Sequence, residues 1–285
     1  MKRVMIIFLA LVGIYILFQS ATALTDFIFG KNDTAAEITD EIKTIELDVS
    51  GVNVNILPES RKNLEVNLDG KGNVQIHKDK DTIAITYEKN WLQWFPFFNR
   101  GDVKVFIPED YNQELDVEIG SGNVHLIGKS SSQPYELDKL AIDMSSGKAA
   151  LKNLSVKEFE HDGSSGHLSI NSLTADKSDI DISSGSIFIG EYTGALKADL
   201  SSGKLEVKMK ELADSVQVDV SSGSVFLDLP DDADFTLNGE STSGNISCEF
   251  PLEIIKQDQR TLEGSHGKGT HPIEIEVSSG NVRVY

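Results

Sequence analysis

The chain has 285 residues, 45 of them acidic and 26 basic, a formal net charge of −19, and a single cysteine. Such an acid excess excludes nucleic acid as a natural partner, because binding phosphates needs a basic footprint, and it opposes electrostatic adhesion to anionic lipid. One thiol excludes an internal disulfide framework, yet the length is enough to bury a core without one.

The first element in the chain reads as an export segment. Lys2-Arg3 precede an apolar run from Val4 to Phe18, and the first acid is Asp26. A short basic stretch followed by a long apolar one is an export signal. Val4 to Thr25 is 22 residues without a charge, enough to cross a bilayer as a helix. Lys2 and Arg3 would hold the N-terminus in the cytoplasm and place the bulk outside. Cleavage after Ala23, within Ala21-Thr22-Ala23, is the competing reading and would give a secreted protein. The expected layout is a membrane anchor or signal segment at 1–30, a short tether at 31–40, and a repeat domain at 41–285.

Early in the repeat domain, Leu47-Asp48-Val49-Ser50-Gly51 and Gly70-Lys71-Gly72-Asn73-Val74 read as degenerate first copies of a unit that is clearer downstream. Leu64, Val66 and Leu68 alternate between them. Asn90 to Arg100 then concentrates Trp91, Trp94, Phe95, Phe97 and Phe98 between strands expected near 82–87 and 103–107. Two roles compete for these rings: a hydrophobic plug over one end of the domain, or an exposed loop touching a membrane or partner.

From Glu118 onward the unit repeats in a fixed frame. Six copies end in Ser-Ser-Gly, at Gly147, Gly166, Gly185, Gly203, Gly223 and Gly280, and looser ones end at Gly122 and Gly244. The steps from Gly122 to Gly244 are 25, 19, 19, 18, 20 and 21 residues. A period near 20 predicts one unit copied and stacked. In the clearest copies apolar residues fall five and three before the glycine and two and four after it, as in Ile180, Ile182, Ile187 and Ile189 around Gly185. Each pair has the period of a half-buried strand. The two pairs have opposite parity, so the chain must bend at Ser-Ser-Gly to keep both inside. About three short strands with corners fill such a turn. The predicted fold is all-β: a right-handed parallel β-solenoid of about 20-residue repeats behind one N-terminal helix.

An acid stands four residues before each repeat glycine: Glu118, Asp143, Asp162, Asp181, Asp199, Asp219, Glu240 and Glu276. Stacked in register, they would form a ladder spaced by about 4.8 Å. Such a ladder either recruits divalent cations, which take several oxygen ligands, or serves as a solvated face that keeps the protein soluble. Cys248, beside Ile246 at an inward position, is expected to pack as a small apolar side chain. The six histidines, His77, His125, His161, His167, His266 and His271, show no metal-ligating spacing. No nucleophile elbow is present, and Gly128-Lys129-Ser130 lacks the glycine a phosphate loop needs at Asn123. Neither cofactor nor catalytic residues are assigned. A polysaccharide-cleaving enzyme on a β-helix scaffold is the alternative to a binding module.

An export segment followed by repeats of the form D-x-S-S-G-x-φ-x-φ resembles the bacterial β-strand-repeat family DUF4097, often called putative adhesins. The layout is similar to its membrane-anchored LiaG-type members, encoded with a cell-envelope stress response in Gram-positive bacteria. The resemblance implies a non-enzymatic extracytoplasmic module with a wall, lipid or membrane-protein partner.

Overall fold

The computed structural model describes residues 34–70, 72–88 and 101–285. The expected anchor and the aromatic segment Trp91–Phe98 lie outside them. Among the described residues there is no helix, and every regular element is a strand.

The middle of the domain shows the repeat in its regular form. The strands there are β8 (Tyr135–Met144), β9 (Lys148–Lys152), β10 (Leu154–Gly163), β11 (His167–Ile170), β12 (Leu173–Ile182), β13 (Ser186–Leu200), β14 (Lys204–Glu211), β15 (Val216–Val220) and β16 (Ser224–Asp228). Successive copies pair in parallel: β8 with β10 and β10 with β12 on one side of the corner, β9 with β11 and β11 with β13 on the other. Each turn has three faces, as expected. β10 is inward at Leu154 and Val156, changes parity around Lys157, and is inward again at Phe159, His161 and Gly163. The second parity change comes at Ser164-Ser165-Gly166, after which Leu168 and Ile170 point inward. Ile180, Ile182, Ile187 and Ile189 are all at most 2 % exposed, so the sequence frame assigns the core correctly.

The corners are themselves hydrogen-bonded from rung to rung. Ser202 N–H donates to the Ser183 carbonyl at 2.8 Å, and Lys204 N–H to the Gly185 carbonyl at 3.0 Å. The glycines are needed there for two reasons. Gly147 has φ of +106°, which side chains rarely adopt. At Gly203 the limit is space: a Cβ would lie 2.4 Å from Ile182 Cγ2 and 2.6 Å from the Gly185 carbonyl oxygen. Close approach of the rungs, more than backbone strain, fixes glycine at that corner.

At the N-terminal end lie β1 (Ala35–Glu37), β2 (Thr44–Glu59), β3 (Asn63–Asp69), β4 (Asn73–Asp79), β5 (Thr82–Glu88), β6 (Asp102–Pro108) and β7 (Glu114–Ile127). β1 falls within the span read as a tether and pairs antiparallel with β3. β2 is not the outermost rung. It lies between the β5/β6 rung and β7, parallel to all three. Beyond it, β4 pairs antiparallel with β5 and β3 with β6.

The C-terminal end repeats this arrangement with β17 (Phe235–Ser241), β18 (Asn245–Cys248), β19 (Glu253–Gln257), β20 (Thr261–His266), β21 (His271–Val277) and β22 (Asn281–Val284). The last rung in sequence, β21/β22, is inserted between β15/β16 and β17/β18. Antiparallel β20 and β19 then finish one face. An antiparallel cap forms most readily as a hairpin, and β4–β5 is one. A rung capped in this way must be outermost, which leaves the preceding β2 inside.

A thermodynamic comparison tests the corner. Gly203→Val should destabilise by about 1–3 kcal/mol, as overpacking does, whereas Ser202→Val, exposed at the same corner, should stay within about 0.5 kcal/mol. Urea unfolding of both variants measures the difference, and equal shifts would refute the close-approach account.

Candidate functional site

The parallel register carries the acids into one line. The paired positions run Asp48, Glu118, Asp143, Asp162, Asp181, Asp199, Asp219, Glu276 and Glu240. All eight predicted positions are in the ladder. Asp48, which belongs to a degenerate copy, extends it to nine, and its place two residues after Glu46 in the L-D-V-S-G segment was the available signal. Glu276 precedes Glu240 because of the inserted rung, an order that sequence spacing could not supply.

Neighbouring columns carry ion pairs from rung to rung, and the ladder has almost none among the described residues. Lys139 meets Glu160, Lys157 meets Asp138 and Lys177 meets Glu158, each at 2.6 Å. In the ladder only Asp199 has an ion pair among the described residues, with Lys197 at 2.9 Å. Like charges along the line have the expected effect. The Asp48 carboxylate, with lesser contributions from burial and Asp143, raises Glu118 above its ordinary value. Partial burial, then Asp162 and Asp199, raises Asp181.

Toward the C-terminal end the ladder lines a groove of about 680 Å³. It is lined by Asp181, Asp199, Asp219, Glu276 and Glu240, the adjacent serine column contributes Ser201, Ser221 and Ser278, and Arg260 with Thr261, which pairs with Glu240, stands at the end of the line. A smaller groove of about 330 Å³ lies at the other end, beside Asp48, Glu118 and Asp116. Among the described residues, no group of three or more His, Cys, Asp or Glu side chains has metal-holding geometry.

Among the described residues, no catalytic constellation assembles elsewhere. His167 Nδ1 lies 2.8 Å from Ser186 Oγ on the surface, but no carboxylate hydrogen-bonds to His167 among the described residues. His161 is buried, and burial lowers its pKa. Cys248 packs partly against the core, and burial raises its thiol pKa. The C-terminal end is closed by an aromatic group: Phe235 and Phe250 have ring centroids 5.4 Å apart, and His266 meets Phe250 edge-on at 5.0 Å. Sequence reading did not single out Phe250, because one aromatic after Cys248-Glu249 carries no pattern.

A titration follows from the ladder. Carboxylates raised in the fold favour the protonated state, so the stability they contribute is full below the ordinary range near pH 4 and is lost as pH rises through the raised values. Asp181→Asn should therefore stabilise the protein at pH 7 by about 0.2–0.5 kcal/mol after solvent screening. Below about pH 4 the gain should vanish. Denaturant unfolding at the two pH values reads both.

The family model described as Toastrack DUF4097 matches residues 42–285. No curated protein matches the chain. Similar solved structures include a putative adhesin from Bacteroides fragilis (12 % identity, covering 88 % of this chain and 95 % of that one, TM-score 0.48). A putative adhesin from Parabacteroides merdae is also similar (19 % identity, 88 % and 94 % covered, TM-score 0.45), as is a putative lipid binding protein from Parabacteroides distasonis (13 % identity, 88 % and 96 % covered, TM-score 0.41). With the family model matching residues 42–285, the chain belongs to the Toastrack DUF4097 family.

Proposed function

We propose that this protein is a non-enzymatic binding module of the bacterial cell envelope, held at the outer face of the membrane by a helix within residues 1–30 and linked to an envelope-stress response. The observation that carries the binding reading is the line of nine carboxylates, eight without an ion pair among the described residues, five of which border the larger groove. Rigid parallel rungs hold these charges at about 4.8 Å intervals. Such a surface selects an extended cationic or polyhydroxylated partner by its repeat spacing. A wall polymer, a lipid-linked compound or a membrane protein fits this description, and nucleic acid does not. The export segment and the LiaG-like layout support the location.

Photo-crosslinking in intact cells from positions 162, 181 and 219 tests the proposal. A discrete envelope partner should be captured, and its yield should fall when Asp162, Asp181 and Asp219 are all changed to Asn. Release of sugars or peptides from cell wall by purified 34–285 would instead establish the enzyme alternative.

The aromatic segment has its own test. If Trp91, Trp94, Phe95, Phe97 and Phe98 form an end plug, Trp94→Ala should cost about 3–5 kcal/mol, as a core truncation does. Tryptophan emission should then be blue-shifted and unaffected by liposomes. Red-shifted emission that moves blue with liposomes would identify an interaction loop.

A further inference from the structure

Among the rungs that end in Ser-Ser-Gly, one breaks the apolar frame. Five and three residues before the glycine, neighbouring rungs carry Ile142 and Met144, or Ile180 and Ile182, while the rung at Gly166 carries His161 and Gly163. His161 is 5 % exposed. An imidazole in an aliphatic stack is costly unless its polar atoms are used.

One of them is. His161 Nδ1 lies 2.8 Å from the Ile142 carbonyl oxygen. A carbonyl only accepts, so Nδ1 carries the proton. In the neutral ring that leaves a lone pair on Nε2, and burial favours the neutral ring. Nε2 faces the space that Gly163 leaves open: a Cβ added there would lie 2.7 Å from it. That space is a cavity of about 10 Å³ lined by Met144, His161, Gly163, Ser165 and Ile182, among others, about the room one water-sized sphere needs. The Met144 thioether reaches over Gly166, with Sδ 2.5 Å from where a Cβ would stand. Ser165 is exposed at the corner and gives the cavity a short route to solvent.

We propose that this cavity is a binding site for one soft monovalent cation, of the Cu(I) or Ag(I) class, held between His161 Nε2 and the Met144 thioether. A thioether and an imidazole are soft and borderline donors, and thioether ligation selects Cu(I). Calcium and magnesium require sets of oxygen ligands, and a structural zinc site requires four ligands. The Nδ1–H bond to a backbone carbonyl is the outer-sphere arrangement that orients metal-bound histidines.

The experiment uses the full-length chain carrying Cys248→Ser, which removes the one competing thiol, with silver nitrate in chloride-free buffer as the probe. Native mass spectrometry should show one bound silver ion, and the Nε2 resonance of His161 should shift while the other histidines stay unchanged. Adding Met144→Leu, which conserves volume, should weaken binding at least tenfold and leave the silver-free melting temperature within a few degrees. His161→Gln should also abolish binding, and if that variant fails to fold, the Met144→Leu comparison decides alone. Absence of a bound equivalent, a shift at a different histidine, or unchanged affinity in the Met144→Leu variant would overturn the assignment.

Discussion

At each Ser-Ser-Gly corner, the backbone of one rung lies against the carbonyl of the glycine before it, and everything else in the domain depends on that approach. The corner lets the chain turn with both apolar pairs facing inward. Its amides donate to the previous rung, as Ser202 does to Ser183 and Lys204 to Gly185, so the turn adds to the ladder. A side chain on the glycine would push adjacent rungs apart. Register, core packing and the alignment of outward residues all follow from holding that spacing.

Alignment has an electrostatic consequence. Once rungs stack in register, any residue type fixed in the frame becomes a column. Aliphatic columns make the core, and the acid four before the glycine makes a line of like charges. In the columns beside it, lysines such as Lys139 and Lys177 pair with acids of adjacent rungs. The acid line is left almost without partners: the Asp48 carboxylate raises the pKa of Glu118, and partial burial, then Asp162 and Asp199, raises that of Asp181. A fold that accepts this repulsion along nine rungs presents a charged rail of defined period, the feature on which the binding proposal rests.

Parallel stacks have open ends, and unpaired strand edges recruit other chains. Here each end is closed by antiparallel strands, and the edges are short or polar. β1 has three residues and β18 four. β19 carries Lys256, follows Pro251, and is irregular between Ile254 and Lys256. Each capped rung must be outermost, so β2 and β21/β22 take inner positions at the two ends. Phe250, packed on Phe235 and His266, covers the core where the C-terminal stack stops.

The sequence by itself determined the repeat length, the inward positions, the need for a bend at each glycine and the membership of eight acids in one ladder. All of these are local: alternation reports which face a residue takes, and the glycine step reports how often the chain returns. Only the tertiary structure decided which rung lies beside which. Edges of successive rungs present the same backbone groups and similar aliphatic columns, so local pattern cannot place Glu276 between Asp219 and Glu240 or put β2 inside β5. Tertiary structure also decided that Gly203 is required by the nearness of Ile182 and Gly185, and that His161 faces a cavity opened by Gly163. The Gly203 contacts join residues about one repeat apart, and the cavity beside His161 is closed by Met144 of the neighbouring rung, so these distances are set only when the rungs close on one another.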